Sequence, residues 1–82
     1  MEVQRINPEG MSKPLGAYSQ VTRRGSIVTT AGLIATDAEG NIVGEGDIQA
    51  QTRKTLENMK TALAAAGASF KDVLKTTVYL SD

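Results

Sequence analysis

The chain has 82 residues, nine Lys and Arg against nine Asp and Glu, and neither His nor Cys. That inventory excludes a zinc finger, a Cys nucleophile, a Ser–His–Asp triad and any disulfide framework, so chemistry must come from carboxylates, Lys, Arg, Tyr, Ser, Thr or the backbone. The length gives one small domain with a marginal core, and zero net charge argues against a general nucleic-acid binder.

In chain order, residues 3–6 predict a short strand closed by Asn7-Pro8. Two Pro and two Gly make residues 8–16 a loop. Residues 17–22 predict a strand, with Tyr18, Val21 and Thr22 favouring it. Arg23-Arg24-Gly25-Ser26 reads as a hairpin turn, with the two arginines as its solvated flank, and residues 26–31 as the next strand. That strand does not alternate cleanly, which suits cover on both faces. Asp37-Ala38-Glu39-Gly40-Asn41 predicts a turn with Gly40 at positive φ, followed by a brief extended Ile42-Val43.

The clearest element is a helix over residues 48–66, capped by the Asp47 carboxylate and stopped by Gly67. Ile48, Thr52, Thr55, Leu56, Met59, Ala62, Leu63 and Ala66 form a stripe about 120° wide that predicts the core-facing side. A final strand is expected over residues 72–80, with Leu74, Thr76, Val78 and Leu80 on one face and Val73, Lys75, Thr77 and Tyr79 on the other. One helix covers one face of a sheet, so the other face needs a second subunit or more chain. No apolar run approaches the roughly 18–20 residues of a membrane span. The first residues lack a secretory pattern, and the lack of Cys agrees with a cytoplasmic setting.

Several short motifs occur together and in order. They are Gly16-Ala17-Tyr18-Ser19-Gln20, Val28-Thr29-Thr30-Ala31-Gly32, and Gly46-Asp47-Ile48-Gln49-Ala50-Gln51-Thr52-Arg53. Thr55-Leu56-Glu57-Asn58-Met59, Ala65-Ala66-Gly67-Ala68-Ser69 and Asp72-Val73-Leu74-Lys75-Thr76-Thr77-Val78-Tyr79-Leu80-Ser81-Asp82 follow. Across essentially the whole chain these resemble the Rid family, also called YjgF or reactive-intermediate deaminases, some of whose members are labelled L-PSP-type endoribonucleases.

The resemblance implies an α/β (α+β) domain in which a mixed sheet carries two helices on one face, in the chorismate-mutase-like manner. It also implies a homotrimer with clefts between subunits. The activity it implies is hydrolysis of a small carboxylate-bearing enamine or imine to a keto acid and ammonia, with no metal or organic cofactor. In the family the catalytic Arg, and often a Glu, lie in the second half of the fold. That half, with the second helix and the last strands, would begin beyond Asp82. The chain therefore reads as a single, incomplete domain over residues 1–82, about two-thirds of the family unit. Alone it is expected to aggregate or associate, with an open sheet face and strand edge.

Four positions carry over as ligand-binding candidates: Tyr18, Ala31, Gly32 and Leu33. Tyr18 matches the family's cleft tyrosine, and a half-buried strand aromatic is the alternative. Gly32 either meets ligand or relieves strand crowding. The best-known deaminases often have Ser where this chain has Ala31 and Gln where it has Leu33, which puts the keto-acid type of substrate in doubt. Arg53 and Lys75 are the available substitutes for a carboxylate clamp, but the helical wheel puts Arg53 on the solvated face. Three function readings follow: the front of a deaminase, a family member that binds ligand without chemistry, and, last, a ribonuclease. Three aromatics and no His give little with which to hold or cleave RNA.

Overall fold

The computed structural model describes residues 3–14 and 19–78. Three short strands, β1 (Gln4–Ile6), β2 (Val21–Arg24) and β3 (Ile27–Thr30), form an antiparallel sheet in the order β1-β2-β3. A helix, α1 (Ile48–Ala65), and a 3₁₀ turn, Phe70–Asp72, complete the regular structure. Fold class is thus α+β, as the sequence predicts, but the sheet is antiparallel throughout among the described residues rather than mixed.

The β2–β3 hairpin closes on Gly25 and Ser26, with Arg24 paired to Ile27. Gly25 takes φ 59°, and a glycine at the first turn position suits the twist of a two-residue hairpin. This moves Arg23 and Arg24 out of the predicted turn and into β2. Arg24 is exposed, but Arg23 is half-buried and is no solvated flank. Its Nε donates to the Gly25 carbonyl at 3.0 Å and its Nη1 to the Ala66 carbonyl at 2.7 Å. A cation bonded to a carbonyl at a helix C-terminus is favoured by both charge and dipole.

The helix begins and ends where its caps dictate. Asp47 Oδ1 accepts from the backbone N–H groups of Gln49 and Ala50, both at 3.1 Å. At the other end Gly67 takes φ 81°, the Gly67 N–H reaches Ala64 O at 3.0 Å, and the Ala68 N–H reaches Leu63 O at 2.8 Å. These two bonds satisfy carbonyls that the last turn leaves without helical partners.

Val21, Ala62 and Ala66 form the buried core, with Ile6, Met11, Val28 and Leu33 packed partly against it. Ala62 and Ala66 are small enough to let β2 approach α1 closely. The opposite sheet face is polar at its centre, where Thr22 and Thr29 hydroxyls meet at 2.7 Å. Part of the predicted apolar stripe is buried: Ala62, Leu63 and Ala66 are, together with Asn58. Ile48 and Leu56 are 65% and 48% exposed. Thr52 is exposed too, and the stripe fails there because the segment that lies on the N-terminal half of α1, at Gly44, meets Ala50 and Gln51 instead of these residues.

The last predicted strand also departs from expectation. Phe70–Asp72 is a 3₁₀ turn held by the Ser69 N–H donating to Asp72 Oδ2 at 3.0 Å, and residues 73–78 have no regular structure. Leu74 is fully exposed. Strand propensity alone does not make a strand, because the backbone groups need a paired edge and the side chains need a covered face. Residues 79 and 80 of that prediction lie outside the described residues. Among the described residues no helix is long and apolar enough to cross a membrane.

Candidate functional site

The candidate residues Ala31, Gly32 and Leu33 follow β3 directly. The Ala31 N–H donates to Gln20 O at 2.9 Å, extending the β2–β3 pairing by one step before the chain leaves the sheet. Gln20 is buried, and its own bonds place the neighbouring loop. Its N–H donates to Asn7 Oδ1 at 2.9 Å and its Nε2 to Ser12 O at 3.0 Å. The Ser12 and Thr36 hydroxyls then lie 3.3 Å apart. Residues 31–36 are thereby laid beside the loop that follows β1.

The three candidates play different parts in this geometry. Gly32 is exposed, and a Cβ added there would meet nothing within 4 Å. Relief of strand crowding is therefore not what Gly32 does among the described residues. What it leaves is an uncovered stretch of backbone. Ala31 is half-buried and contributes no polar side-chain atom. Leu33 is half-buried and packs against the Val21–Ala62–Ala66 core, so its side chain braces the segment. Tyr18, the fourth candidate, lies outside the described residues.

Downstream, the segment is tied to the helix. Asn58 Nδ2 donates to Ile34 O and Thr36 O, each at 2.9 Å. The Val43 N–H donates to Ala35 O at 2.8 Å, next to the isolated antiparallel bridge between Thr36 and Ile42. The predicted turn over residues 37–41 closes this small hairpin, with Gly40 at φ 86°. Asp37 Oδ1 accepts from the Asn41 and Glu39 N–H groups at 2.9 and 3.0 Å. The Asn41 backbone bond, ahead of the other contacts, holds the Asp37 carboxyl below its ordinary value of 3.8.

Neither substitute clamp joins this site. Arg53 is exposed and lines an open groove of about 400 Å³ with Ile48, Gln49, Thr52 and Leu56, none of them a candidate residue. Lys75 is exposed on the segment without regular structure. Among the described residues there is no group of three or more His, Cys, Asp or Glu side chains arranged to hold a metal ion. The arrangement orients a backbone ledge at Ala31–Leu33, three residues whose side chains carry no ionisable or hydrogen-bonding group. Sequence reasoning missed Asn58 as a support. The signal was a lone amide three residues after Thr55 and four before Ala62, on the buried side of an amphipathic helix.

Residues 10–82 match the family model described as endoribonuclease L-PSP. The chain belongs to this family, the Rid family of the sequence resemblance. A RutC family protein of Pyrococcus horikoshii is 47% identical over 77 residues, covering 94% of this chain and 61% of the relative. The 3-aminoacrylate deaminase RutC of Acinetobacter baylyi is 40% identical, with the same two coverages. Among solved structures, a Thermotoga maritima protein bearing an endoribonuclease name superposes with a TM-score of 0.81 at 36% identity. It covers 90% of this chain and 57% of that one. A yeast protein superposes with a TM-score of 0.77 at 20% identity, over 83% of this chain and 54% of its own, which shows the shared fold. The chain thus spans about three-fifths of the length of the curated relatives it matches.

Proposed function

We propose that this Rid-family chain supplies the front of a cleft that hydrolyses a small carboxylate-bearing enamine or imine to a keto acid and ammonia, without metal or organic cofactor. The observation that carries the reading is the 40% identity, over 94% of the chain, with a protein named 3-aminoacrylate deaminase. The compound in that name is itself an enamine bearing a carboxylate.

The chemistry asks little of a protein. Protonation of the enamine carbon gives an imine; water adds to the imine carbon; the C–N bond breaks as the nitrogen takes a proton, and ammonia leaves. A guanidinium clamps the carboxylate, and a carboxylate side chain moves the proton. Ala31, Gly32 and Leu33 have no side chain for either task, so in this reading they shape the wall against which the substrate lies. The uncovered Gly32 backbone, with no Cβ in the way, supports that role.

Homotrimer formation, with the cleft between subunits, belongs to the same proposal, as does a cytoplasmic location. Incomplete burial supports the need for more protein around this chain. It exposes 6442 Å², whereas a folded monomer of 8.7 kDa follows a scaling that gives roughly 4700 Å². The second reading, a family member that binds a small ligand without chemistry, is favoured by Ala31 and Leu33, neither of which offers a polar side-chain atom.

The test uses the complete gene product and a freshly generated imino acid, with ammonia release and semicarbazide trapping followed together. Faster ammonia release with less semicarbazone is expected. No acceleration, with keto-acid binding retained, would establish the binding reading instead. Sedimentation of the same sample checks the trimer.

A further inference from the structure

The segment that carries the candidate site hangs from two supports. Upstream, Ala31 is held by the Gln20 carbonyl at 2.9 Å. Downstream, Asn58 holds both Ile34 O and Thr36 O at 2.9 Å, from the middle of α1. Asn58 is 6% exposed. Both hydrogens of its amide are committed, and both go to carbonyls of one short segment. A buried amide directed in this way fixes a backbone position far more tightly than apolar packing does, because a misplaced carbonyl leaves a donor unmatched. Between the two supports lie only Gly32 and Leu33, the exposed ledge and its core-facing brace.

We propose that Asn58 is a positioning residue for the Ala31–Leu33 site: it sets the height of the Gly32 backbone relative to the sheet and thereby the fit of substrate. This rests on the deaminase reading for its kinetic consequence, but not for its structural one. Asn58 does not touch the ledge itself and acts through Ile34 and Thr36. Among the described residues Asn58 is the one side chain of α1 hydrogen-bonded to this segment, and Ile34 O also accepts from the Thr36 N–H at 2.9 Å. The Ala35–Val43 bond joins it to another loop, and the Ser12–Thr36 hydroxyl contact is long at 3.3 Å.

The experiment compares Asn58→Ala with Asp47→Ala in the full-length protein. Asp47 caps the same helix and its hydrogen bonds go to Gly44, Gln49, Ala50 and Gln51 rather than to residues 31–36, so its variant reports loss of helix stability. Both variants are assayed where each is fully folded. For Asn58→Ala, KM for the imino acid is expected to rise at least roughly tenfold, as for a misplaced positioning group. Pyruvate, as a keto-acid probe, is expected to bind correspondingly weaker. Asp47→Ala is expected to lower Tm with KM unchanged. Equal changes in KM for the two variants would overturn the proposal and leave Asn58 a purely structural residue. If the wild-type protein neither turns over the imino acid nor binds pyruvate, the functional reading fails, and backbone amide resonances decide the positioning. Gly32 and Leu33 shifts that move in Asn58→Ala and not in Asp47→Ala uphold it; shifts unmoved in both overturn it.

Discussion

The two halves of α1 share one amphipathic pattern and meet different fates. From Asn58 to Ala66 the helix is covered: Val21 of β2 lies against Ala62 and Ala66, Arg23 bonds the Ala66 carbonyl, and Asn58 holds two carbonyls of the segment leaving β3. From Ile48 to Leu56 the same stripe lines an open groove. The contrast teaches that periodicity specifies which face wants burial but not what will bury it. Hydrophobic stabilisation scales with apolar area removed from water, so an uncovered leucine contributes little to this chain.

The largest expected effect comes from breaking the covered half. Val21 is the one large side chain fully buried among the described residues. Val21→Asp puts a carboxylate among alanines with no partner, at a cost of about 3–5 kcal/mol. A domain of this size has only about 4–12 kcal/mol of total stability. The variant is expected to lose its cooperative thermal transition, followed by circular dichroism. Retention of that transition within a few degrees of wild type would show that the core lies elsewhere.

Two leucines on the same helix sharpen the comparison. Leu63 is 7% exposed and Leu56 is 48% exposed. Leu63→Ala is expected to cost about 2–3 kcal/mol, and Leu56→Ala under about 1 kcal/mol, as measured by denaturant unfolding of this chain. In the complete gene product, a Leu56→Ala cost that rises to match Leu63→Ala would show that further protein covers the open half.

Much of the covered half is legible in the sequence. Asp47 and Gly67 fix the helix ends through bonds to nearby backbone groups, and the 37–41 turn follows from Asp37 and Gly40 in the same way. These are local effects, settled within a few residues. The last strand is not legible for the opposite reason. Residues 73–78 have strand-forming side chains, but a strand exists only beside another, and they pair with no strand among the described residues, although β1 and β3 each leave one edge free. Arg23 shows a third case. Next to Arg24 and before Gly25 it reads as a turn flank, yet a one-place shift in the hairpin register brings its guanidinium to a helix terminus 43 positions later. At the candidate site the sequence finds the strand end but not the division of labour. Leu33 looks like a lost polar contact and is in fact part of the packing. Asn58, which looks like an ordinary polar helix residue, is buried with its amide fully used.

Arg23 gives an intermediate effect that tests the link between hairpin and helix. Arg23→Ala removes the charged donor from Ala66 O and Gly25 O, at a cost of about 1–2 kcal/mol. Arg23→Lys is expected to recover only part of this, because an ammonium cannot serve both carbonyls with the fixed fork of a guanidinium. Equal stability of the Lys variant and wild type by denaturant unfolding would show that charge alone matters at the helix terminus.

The smallest effect is electrostatic and belongs to the hairpin that Asn58 ties to the helix. The Asn41 N–H, first among its contacts, stabilises the ionised Asp37 carboxylate and depresses its folded-state value below 3.8. The unfolded chain then binds protons more readily than the folded one as the solution is acidified. The contribution to stability is therefore fully present above the ordinary carboxylate value and is lost as pH falls through the folded one. Asp37→Asn keeps an acceptor oxygen at the same place and removes only the charge. Its Tm is expected to lie slightly below wild type near neutral pH, with the gap closing as the solution is acidified below about pH 4. A gap that stays constant down to about pH 2 would mean that the turn is stabilised by the shape of the side chain and not by its charge. Asp37 would then support the segment beside the candidate site through geometry alone, as Asn58 does from the helix side.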